Sequence, residues 1–218
     1  MIWQPVRSLE PEYMDSDDVP EADRAAFHRD LARVHRFLGT QNHIIERIRR
    51  APEPAGSVID IGCGDGALLA RIREATGAQV TGVDLRPPEE DVYDVPIVRC
   101  DATRDELPAA DVAVSLMTLH HLTDQLVIDL IRNVSRSCRR FICLDLVRHP
   151  LPFALFSAFI GPWINKPAAD DGRLSIRRAF RPEELRALVG AALEGAGRLE
   201  HRVSRYYATQ VVDIWFVR

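Results

Sequence analysis

The chain has 218 residues, 46% of them hydrophobic and 28% charged, so we expect a single globular domain with a substantial core. The formal net charge of −4 offers no electrostatic case for a nucleic-acid partner. No apolar run approaches the roughly 20 residues that span a bilayer. The first residues lack the basic and apolar regions of a secretory signal, so a cytoplasmic location is expected.

The cysteines have no C-x-x-C spacing and lie mostly in apolar, strand-like runs. This pattern favours buried free thiols in a reducing compartment over disulfides or zinc, and no metal site is predicted. The residues concerned are Cys63, Cys100, Cys138 and Cys143.

The N-terminal part of the chain precedes any strand pattern. Residues 1–23 are acidic and interrupted by prolines, which predicts an irregular arm ordered against the body of the protein. Apolar residues at Phe27, Leu31, Val34 and Leu38 then predict an amphipathic helix ended by Gly39. Thr40 is expected to cap a second helix with Ile44, Ile45 and Ile48 on its apolar side. We interpret the two helices as a partial flap over the ligand face, with plain packing as the alternative.

A glycine-rich turn follows the first predicted strand. The β-branched run Val58–Ile61 leads into Gly62, Gly64 and Gly66, and a helix is predicted over 67–75, ended by Gly77. Strand, glycine turn and helix N-terminus bring bare backbone N–H groups up to a polar ligand. A tight turn without a ligand is the alternative.

Strands and helices then alternate, which predicts parallel βαβ units. Strands are expected at 80–84, 97–101, 111–115 and 140–146, with a helix from Asp124. Carboxyl ends of parallel strands share one edge of the sheet. We therefore expect Asp84, Asp101, Ser115 and Asp145 beside the glycine turn.

The C-terminal third departs from this alternation. Residues 149–171 are apolar, aromatic and proline-rich, and we interpret them as a lid or substrate wall, with a core-thickening helical hairpin as the alternative. A helix is expected from Arg181 to about Gly195–Gly197, then an antiparallel pair of strands at 198–207 and 209–217.

The predicted fold is α/β: a Rossmann-like open sheet of about seven strands, the last antiparallel, with N-terminal helices and a lid insert after strand five. One domain is expected over 1–218. Its parts are the arm and helices (1–55), a cofactor-binding core (57–146), the insert (147–180), and the C-terminal helix and hairpin (181–218).

The order of motifs resembles class I S-adenosylmethionine-dependent methyltransferases. Their pattern matches Asp60 with Gly62–Gly66, then Asp84, Asp101-Ala102, and Asp111 to Ser115. The loop Met117–Leu122 and the Asp-Leu-x-Arg after strand five look like a small-molecule branch near quinone-biosynthesis enzymes and, more vaguely, methyltransferases associated with polyketide synthases. The G-x-R-N loop of the quinone-pathway enzymes is absent.

The resemblance implies S-adenosylmethionine (SAM) as cofactor and assigns roles to individual residues. Asp60 is expected to hold the methionine ammonium, Asp84 both ribose hydroxyls, and Asp101 with the Ala102 N–H the adenine. Turn or helix capping is the alternative role for the three aspartates. The full implied set is Asp60, Gly62, Cys63, Gly64, Gly66, Asp84, Leu85, Asp101, Ala102, Ser115 and Met117. A dinucleotide is the rival cofactor, disfavoured because Gly66 comes one position early and Asp65 would face a pyrophosphate.

The expected acceptor is a small phenolic, polyketide or quinone-like molecule, methylated on oxygen. Either His120 or His121 is the candidate general base while the other points into the scaffold, or both are positional; His149 is a lesser candidate. The predicted substrate residues are His149, Phe153, Phe156, Trp163 and Arg178. The alternatives are C-methylation, RNA or protein methylation, and a non-catalytic cofactor-binding protein. The N/D-P-P-Y/F loop used in amino-nitrogen methylation is replaced by Ser115–Thr118.

Overall fold

The computed structural model describes residues 6–216 except 17, 89–91, 195–198 and 207. Seven strands form one sheet in the order β3-β2-β1-β4-β5-β7-β6. They are β1 (Ser57–Ile61), β2 (Gln79–Asp84), β3 (Ile97–Arg99), β4 (Ala110–Leu116), β5 (Cys138–Leu146), β6 (Leu199–Tyr206) and β7 (Thr209–Phe216).

The sheet confirms the predicted fold class. Strands β1 to β5 pair in parallel, and β7 runs antiparallel to both β5 and β6. Chain order reverses between β1 and β4, which is where open α/β sheets bind ligands. The third strand is shorter than predicted, so Asp101 lies in the loop two residues beyond its end.

Seven α-helices are described, and shorter helical turns join some of them. They are α1 (Glu21–Leu38), α2 (Thr40–Arg49), α3 (Ala67–Thr76), α4 (Asp124–Ser137), α5 (Pro150–Leu155), α6 (Lys166–Arg178) and α7 (Pro182–Leu193). Gly77 ends α3 in the left-handed conformation, as predicted. Gly195 and Gly197, predicted to end α7, lie outside the described residues.

The junction of α1 and α2 corrects one prediction. Gly39, with φ of 64°, both ends α1 and precedes α2, and Thr40 is the first helical residue, not the cap. The Thr40 hydroxyl instead bonds to Nδ1 of buried His35 at 2.8 Å. Thr40 therefore ties the second helix to the end of the first.

Helices cover both faces of the sheet in three layers. Apolar residues of α2 and α3 pack on one face, and those of α4 and α7 on the other. Ile44, Ile45 and Ile48 of α2 are at most 6% exposed, so this helix is core packing, and the interpretation of it as a flap is wrong. The remaining helix of the pair, α1, contacts the insert after β5 through Asp30, which accepts hydrogen bonds from Asn165 N and Nδ2.

The insert folds as a helical hairpin. Helix α5 continues into a π-helical turn (Phe156–Ile160) and a 3₁₀ turn (Gly161–Trp163), and α6 returns. The Phe156 ring packs on α6 so closely that a Cβ on Gly172 would lie 2.2 Å from it. This arrangement matches the helical-hairpin alternative, and the lid role stays a prediction.

The predicted N-terminal arm is described over residues 6–16, and the element that it packs against is α6. Asp171 accepts hydrogen bonds from the backbone N–H groups of Tyr13 and Met14, and Ser8 N–H donates to the Arg177 carbonyl. Arg7 donates to the Leu122 carbonyl beyond a 3₁₀ turn at Leu119–His121. The arm therefore bridges the insert and the loop after β4.

The four cysteines are buried and free, as predicted. No helix within the described part of the chain combines the length and apolarity that a membrane crossing needs.

An ion-pair cluster joins α2 to strands β5 and β7. Asp213 of β7 accepts two hydrogen bonds from Arg140 of β5, at 2.9 and 2.8 Å, and one from Arg47 of α2 at 2.9 Å. Arg140 is 5% exposed, and Asp213 is the carboxylate that pairs with its buried guanidinium group.

Asp213→Ala is expected to lower the free energy of unfolding by about 3–5 kcal/mol, because it leaves two guanidinium groups without their carboxylate. Urea unfolding followed by circular dichroism measures this loss. The control Glu74→Ala removes an exposed carboxylate of α3 and should change stability by less than about 0.5 kcal/mol. Similar losses in both variants would contradict the role given to the cluster.

Candidate active site

The glycine turn joins β1 to α3 at the carboxyl edge of the sheet. Gly62, Gly64 and Gly66 all have positive φ, from 55° to 83°. A Cβ on Gly62 would lie 2.6 Å from Thr118, whereas a Cβ on Gly64 would meet open space. The turn thus closes against the β4 loop at Gly62 and offers bare backbone outward at Gly64, as a ligand cradle requires.

Asp60 lies at the centre of this edge, on β1 just before the glycines. It is 2% exposed, and its Oδ1 atom has no hydrogen-bond partner among the described residues. Burial raises its pKa well above the ordinary value, and the charges of Asp84 and Asp65 raise it further. A buried carboxylate without a cation is costly, so this position fits a positively charged ligand group.

Asp84 ends β2 facing the glycine turn. Its Oδ2 accepts from Gly64 N–H at 2.9 Å and its Oδ1 from Arg86 N–H at 2.8 Å. Turn capping, the alternative role, is thus present, although each carboxylate oxygen retains a second lone pair for a ligand hydroxyl. Leu85, 57% exposed, offers an apolar surface beside it.

Asp101 is engaged by its own loop. One carboxylate oxygen accepts from the Thr103 N–H and hydroxyl, and the other forms a 2.7 Å ion pair with Arg104. These bonds lower the pKa of Asp101 against the effect of its burial. Ala102 is 9% exposed, and its carbonyl accepts from Asn133 Nδ2. The adenine roles of both residues stay predictions.

The end of β4 is hydrogen-bonded to the end of β1, just before the glycine turn. Ser115 is fully buried, and its hydroxyl donates to the Ile61 carbonyl at 3.0 Å, so it braces the two central strands. Met117 has φ of 58°, which is unusual for a residue with a side chain, and its N–H donates to the Leu144 carbonyl. Such strain often marks functional loops.

Cys63 is buried at the glycine turn, and burial raises the pKa of its thiol, which leaves it unreactive.

The two histidines occupy different environments. His120 is 3% exposed, and its Nδ1 lies 2.7 Å from Oδ1 of buried Asp145, whose Oδ2 accepts from the His120 N–H. The His121 side chain is 32% exposed, and its Nδ1 lies 3.2 Å from Asp15 Oδ1. Of the two, His120 points into the scaffold.

Glu12, on the arm, completes this group of histidines and acids. It is 5% exposed, accepts from the Ser175 hydroxyl at 2.8 Å, and lies 3.7 Å from His120 Nε2 and 3.9 Å from His121 Nε2. Burial raises the pKa of Glu12 to about 7, although the charge of His121 opposes the shift. Glu12 and Asp15 were not predicted as site residues, because a proline-interrupted acidic arm has no periodicity that shows which carboxylate faces the body.

The predicted substrate residues lie in different local environments. Arg178 is 7% exposed and donates to the His120, His121 and Glu10 carbonyls. It therefore stabilises the 3₁₀ turn Leu119–His121, called the histidine turn below. His149 caps α5 by accepting from Leu151 N–H, and Trp163 is 83% exposed. Phe153 is buried, and Phe156 packs on Gly172. Contact of these five residues with an acceptor stays a prediction.

Solved structures resemble this fold at low sequence identity. The plantazolicin methyltransferase BpumL, solved with a monoazolic desmethylplantazolicin analogue and S-adenosylhomocysteine (SAH), superposes with a TM-score of 0.71 at 14% identity, covering 91% of each chain. An O-methyltransferase-like protein from Nostoc punctiforme gives 0.64 at 13% identity, over 96% of this chain and 64% of the other. The mitomycin 7-O-methyltransferase MmcR gives 0.65 at 19% identity, over 95% and 61%.

Sequence comparison supplies the family. No curated protein matches the chain. The family model of a methyltransferase domain matches residues 29–147, more than half of the chain and the whole of its glycine turn and carboxyl edge. Together with the seven-stranded sheet and its reversed last strand, this match shows that the chain belongs to the methyltransferase-domain family and is a SAM-dependent methyltransferase.

Proposed function

We propose that this enzyme methylates a small-molecule acceptor on oxygen, the acceptor being a phenolic, polyketide- or quinone-like compound. The observation that carries the cofactor part is Asp60 Oδ1, a buried carboxylate oxygen with no partner among the described residues, at the point where strand order reverses. The apolar insert after β5 and the net charge of −4 favour a small organic acceptor over a nucleic acid.

The residues of the glycine turn and of the carboxyl edge of the sheet can each be assigned to a part of SAM. We assign the methionine ammonium to Asp60, the backbone approach to Gly62, Gly64 and Gly66, and the ribose hydroxyls to the remaining lone pairs of Asp84. Leu85, Asp101 and Ala102 are assigned to the adenine, and Cys63, Ser115 and Met117 to the walls of the site. SAM supplies a methyl group on a sulfonium, which is ready for in-line displacement by the acceptor.

The protein has to align the acceptor with the methyl group, exclude water and remove one proton from the acceptor. The strained Met117 and the turn at Leu119–His121 lie beside the glycine cradle, where an acceptor has to approach. His121 is our candidate general base because its ring is partly exposed, whereas His120 is held by Asp145 as a positioning residue. In C-methylation, the alternative reaction, the same turn orients an enolate or phenolate carbon.

Asp60→Asn is expected to have opposite effects on stability and binding. Because the pKa of Asp60 is raised in the folded protein, its contribution to stability falls as pH rises above its unfolded pKa of about 3.9. Neutralising it should therefore raise the melting temperature of the ligand-free protein at pH 7. It should also weaken SAH binding by at least about tenfold, because a charge-assisted hydrogen bond is lost.

Calorimetry also tests the protonation of Asp60. Binding of the ammonium favours the ionised carboxylate, so SAH binding should release protons near neutral pH, and affinity should rise with pH. Titrations in two buffers of different ionisation enthalpy measure this release, which the Asp60→Asn variant should lack. The control Asp129→Asn, on α4, should bind SAH as the wild type does. Unchanged affinity and proton release in Asp60→Asn would contradict the assignment.

Methyl transfer from labelled SAM tests the acceptor class. We expect label in phenolic polyketides or quinols and none in total RNA or protein. His121→Ala should lower kcat by about 10²–10⁴-fold while SAH affinity is kept, because it removes the proton acceptor only. Label in RNA, or full turnover by His121→Ala at neutral pH, would overturn the acceptor or the base respectively.

A further inference from the structure

We propose that Glu12, His120 and His121 bind a divalent transition-metal ion of the Zn²⁺ class, which fastens the N-terminal arm to the turn after β4. Among the residues that the structure describes, these three form the one group of three or more metal-ligating side chains whose ligand atoms all lie within 4.8 Å of one another. Nothing in the family match or the fold assigns a metal to this place.

The histidines are oriented as metal ligands are. Nδ1 of His120 lies 2.7 Å from the Asp145 carboxylate and Nδ1 of His121 lies 3.2 Å from that of Asp15. An ionised carboxylate only accepts, so each Nδ1 is the nitrogen that donates to a carboxylate, and Nε2 is the ring nitrogen left for a ligand. A carboxylate behind a histidine is the usual outer shell of a metal site.

Both Nε2 atoms face the Glu12 carboxylate across a gap that suits an ion. The separations are 3.7 Å from His120 and 3.9 Å from His121, too long for direct hydrogen bonds. A bridging water would set these atoms more than about 4.5 Å apart. Zinc lies about 2.0–2.2 Å from its nitrogen and oxygen ligands, so a tetrahedral site needs about 3.3 Å between them. The two Glu12 distances, one to each carboxylate oxygen, would have to shorten by about half an ångström, and all three ligand atoms already lie within 4.8 Å of one another.

Charge and donor type support a dication. Three carboxyl groups, those of Glu12, Asp15 and Asp145, surround the two imidazoles, and the Arg178 guanidinium lies near Glu12 and Asp15. Two imidazoles and one carboxylate suit zinc and its neighbours in the first transition row better than magnesium or calcium. A water molecule would complete the tetrahedral coordination, as at zinc sites that have three protein ligands.

An ion at this site would join two distant segments of the chain. Glu12 is on the arm, whereas His120 and His121 are on the turn after β4, so one ion would link two segments more than 100 residues apart. The ion would occupy the Nε2 lone pair that His121 needs as a general base, so the two roles exclude each other in one molecule. The binding test therefore uses neither SAM nor acceptor, and its result stands whatever the methylation assay gives.

The experiment titrates full-length, chelator-treated protein with Zn²⁺ by calorimetry and with Co²⁺ by visible absorption. We expect one equivalent to bind, with the d–d bands of a four-coordinate nitrogen and oxygen site. Glu12→Gln and His121→Gln should each abolish or weaken binding by more than about tenfold. Asp15→Asn, which removes only an outer-shell partner, should weaken it by about 10–100-fold. Amide exchange at Tyr13 and Met14 should slow when the metal is added.

Glu10→Gln is the matched control, because it removes a carboxylate from the same arm, two residues from Glu12 and largely exposed. It should bind metal as the wild type does. If circular dichroism shows that Glu12→Gln does not fold, metal binding by His121→Gln is the test of the proposal. The His121 side chain is only partly buried, so its replacement disturbs the fold less. The proposal is overturned if the wild type does not bind Zn²⁺, or binds it no more tightly than the variant that decides.

Discussion

An uncompensated carboxylate at the middle of the sheet is the constraint on which the site depends. Asp60 is buried on β1 beside Asp84 and Asp65, and one of its oxygens has no partner among the described residues. Folding places this carboxyl group where its ionised form is least favourable, which raises its pKa, and a cation from outside the chain would favour the ionised form. The free enzyme therefore gives up stability at the position that we assign to the cofactor's ammonium group, as functional sites often do.

The rest of the carboxyl edge is preorganised around that position. Ser115 braces β4 against β1, Gly62 leaves room for Thr118 of the β4 loop, and Asp84 holds the Gly64 N–H. These contacts fix the shape of the turn without a ligand. The cofactor should consequently meet a formed cradle and change mainly the charge state of the edge.

Periodic features were predictable from sequence, and contacts distant along the chain were not. The alternation of apolar strands and helices gave the order of elements, and the glycine spacing gave the turn, because both depend on local backbone chemistry. The flap interpretation of α2 was wrong, since an apolar helical face does not say which surface it covers. Glu12 was missed for a related reason: its burial depends on α6 and the histidine turn, more than 100 residues away.

The arm lies outside residues 29–147, the part of the chain that the family model matches. Glu12, which is buried, and Asp15, which is partly exposed, contact the two histidines from the arm, and Asp145 contacts His120 from β5. Because Glu12 and Asp15 contact both histidines, the position of the arm helps to fix the orientation of the two imidazole rings.

The most direct test of the central claim is an NMR titration of the Asp60 carboxyl carbon in the free protein and in the SAH complex. We expect a pKa well above the usual aspartate range in the free protein and a clear fall when SAH is bound, because the ammonium group supplies the missing cation. An Asp60 pKa that is ordinary in the free protein, or that SAH does not lower, would contradict the central place given to this residue.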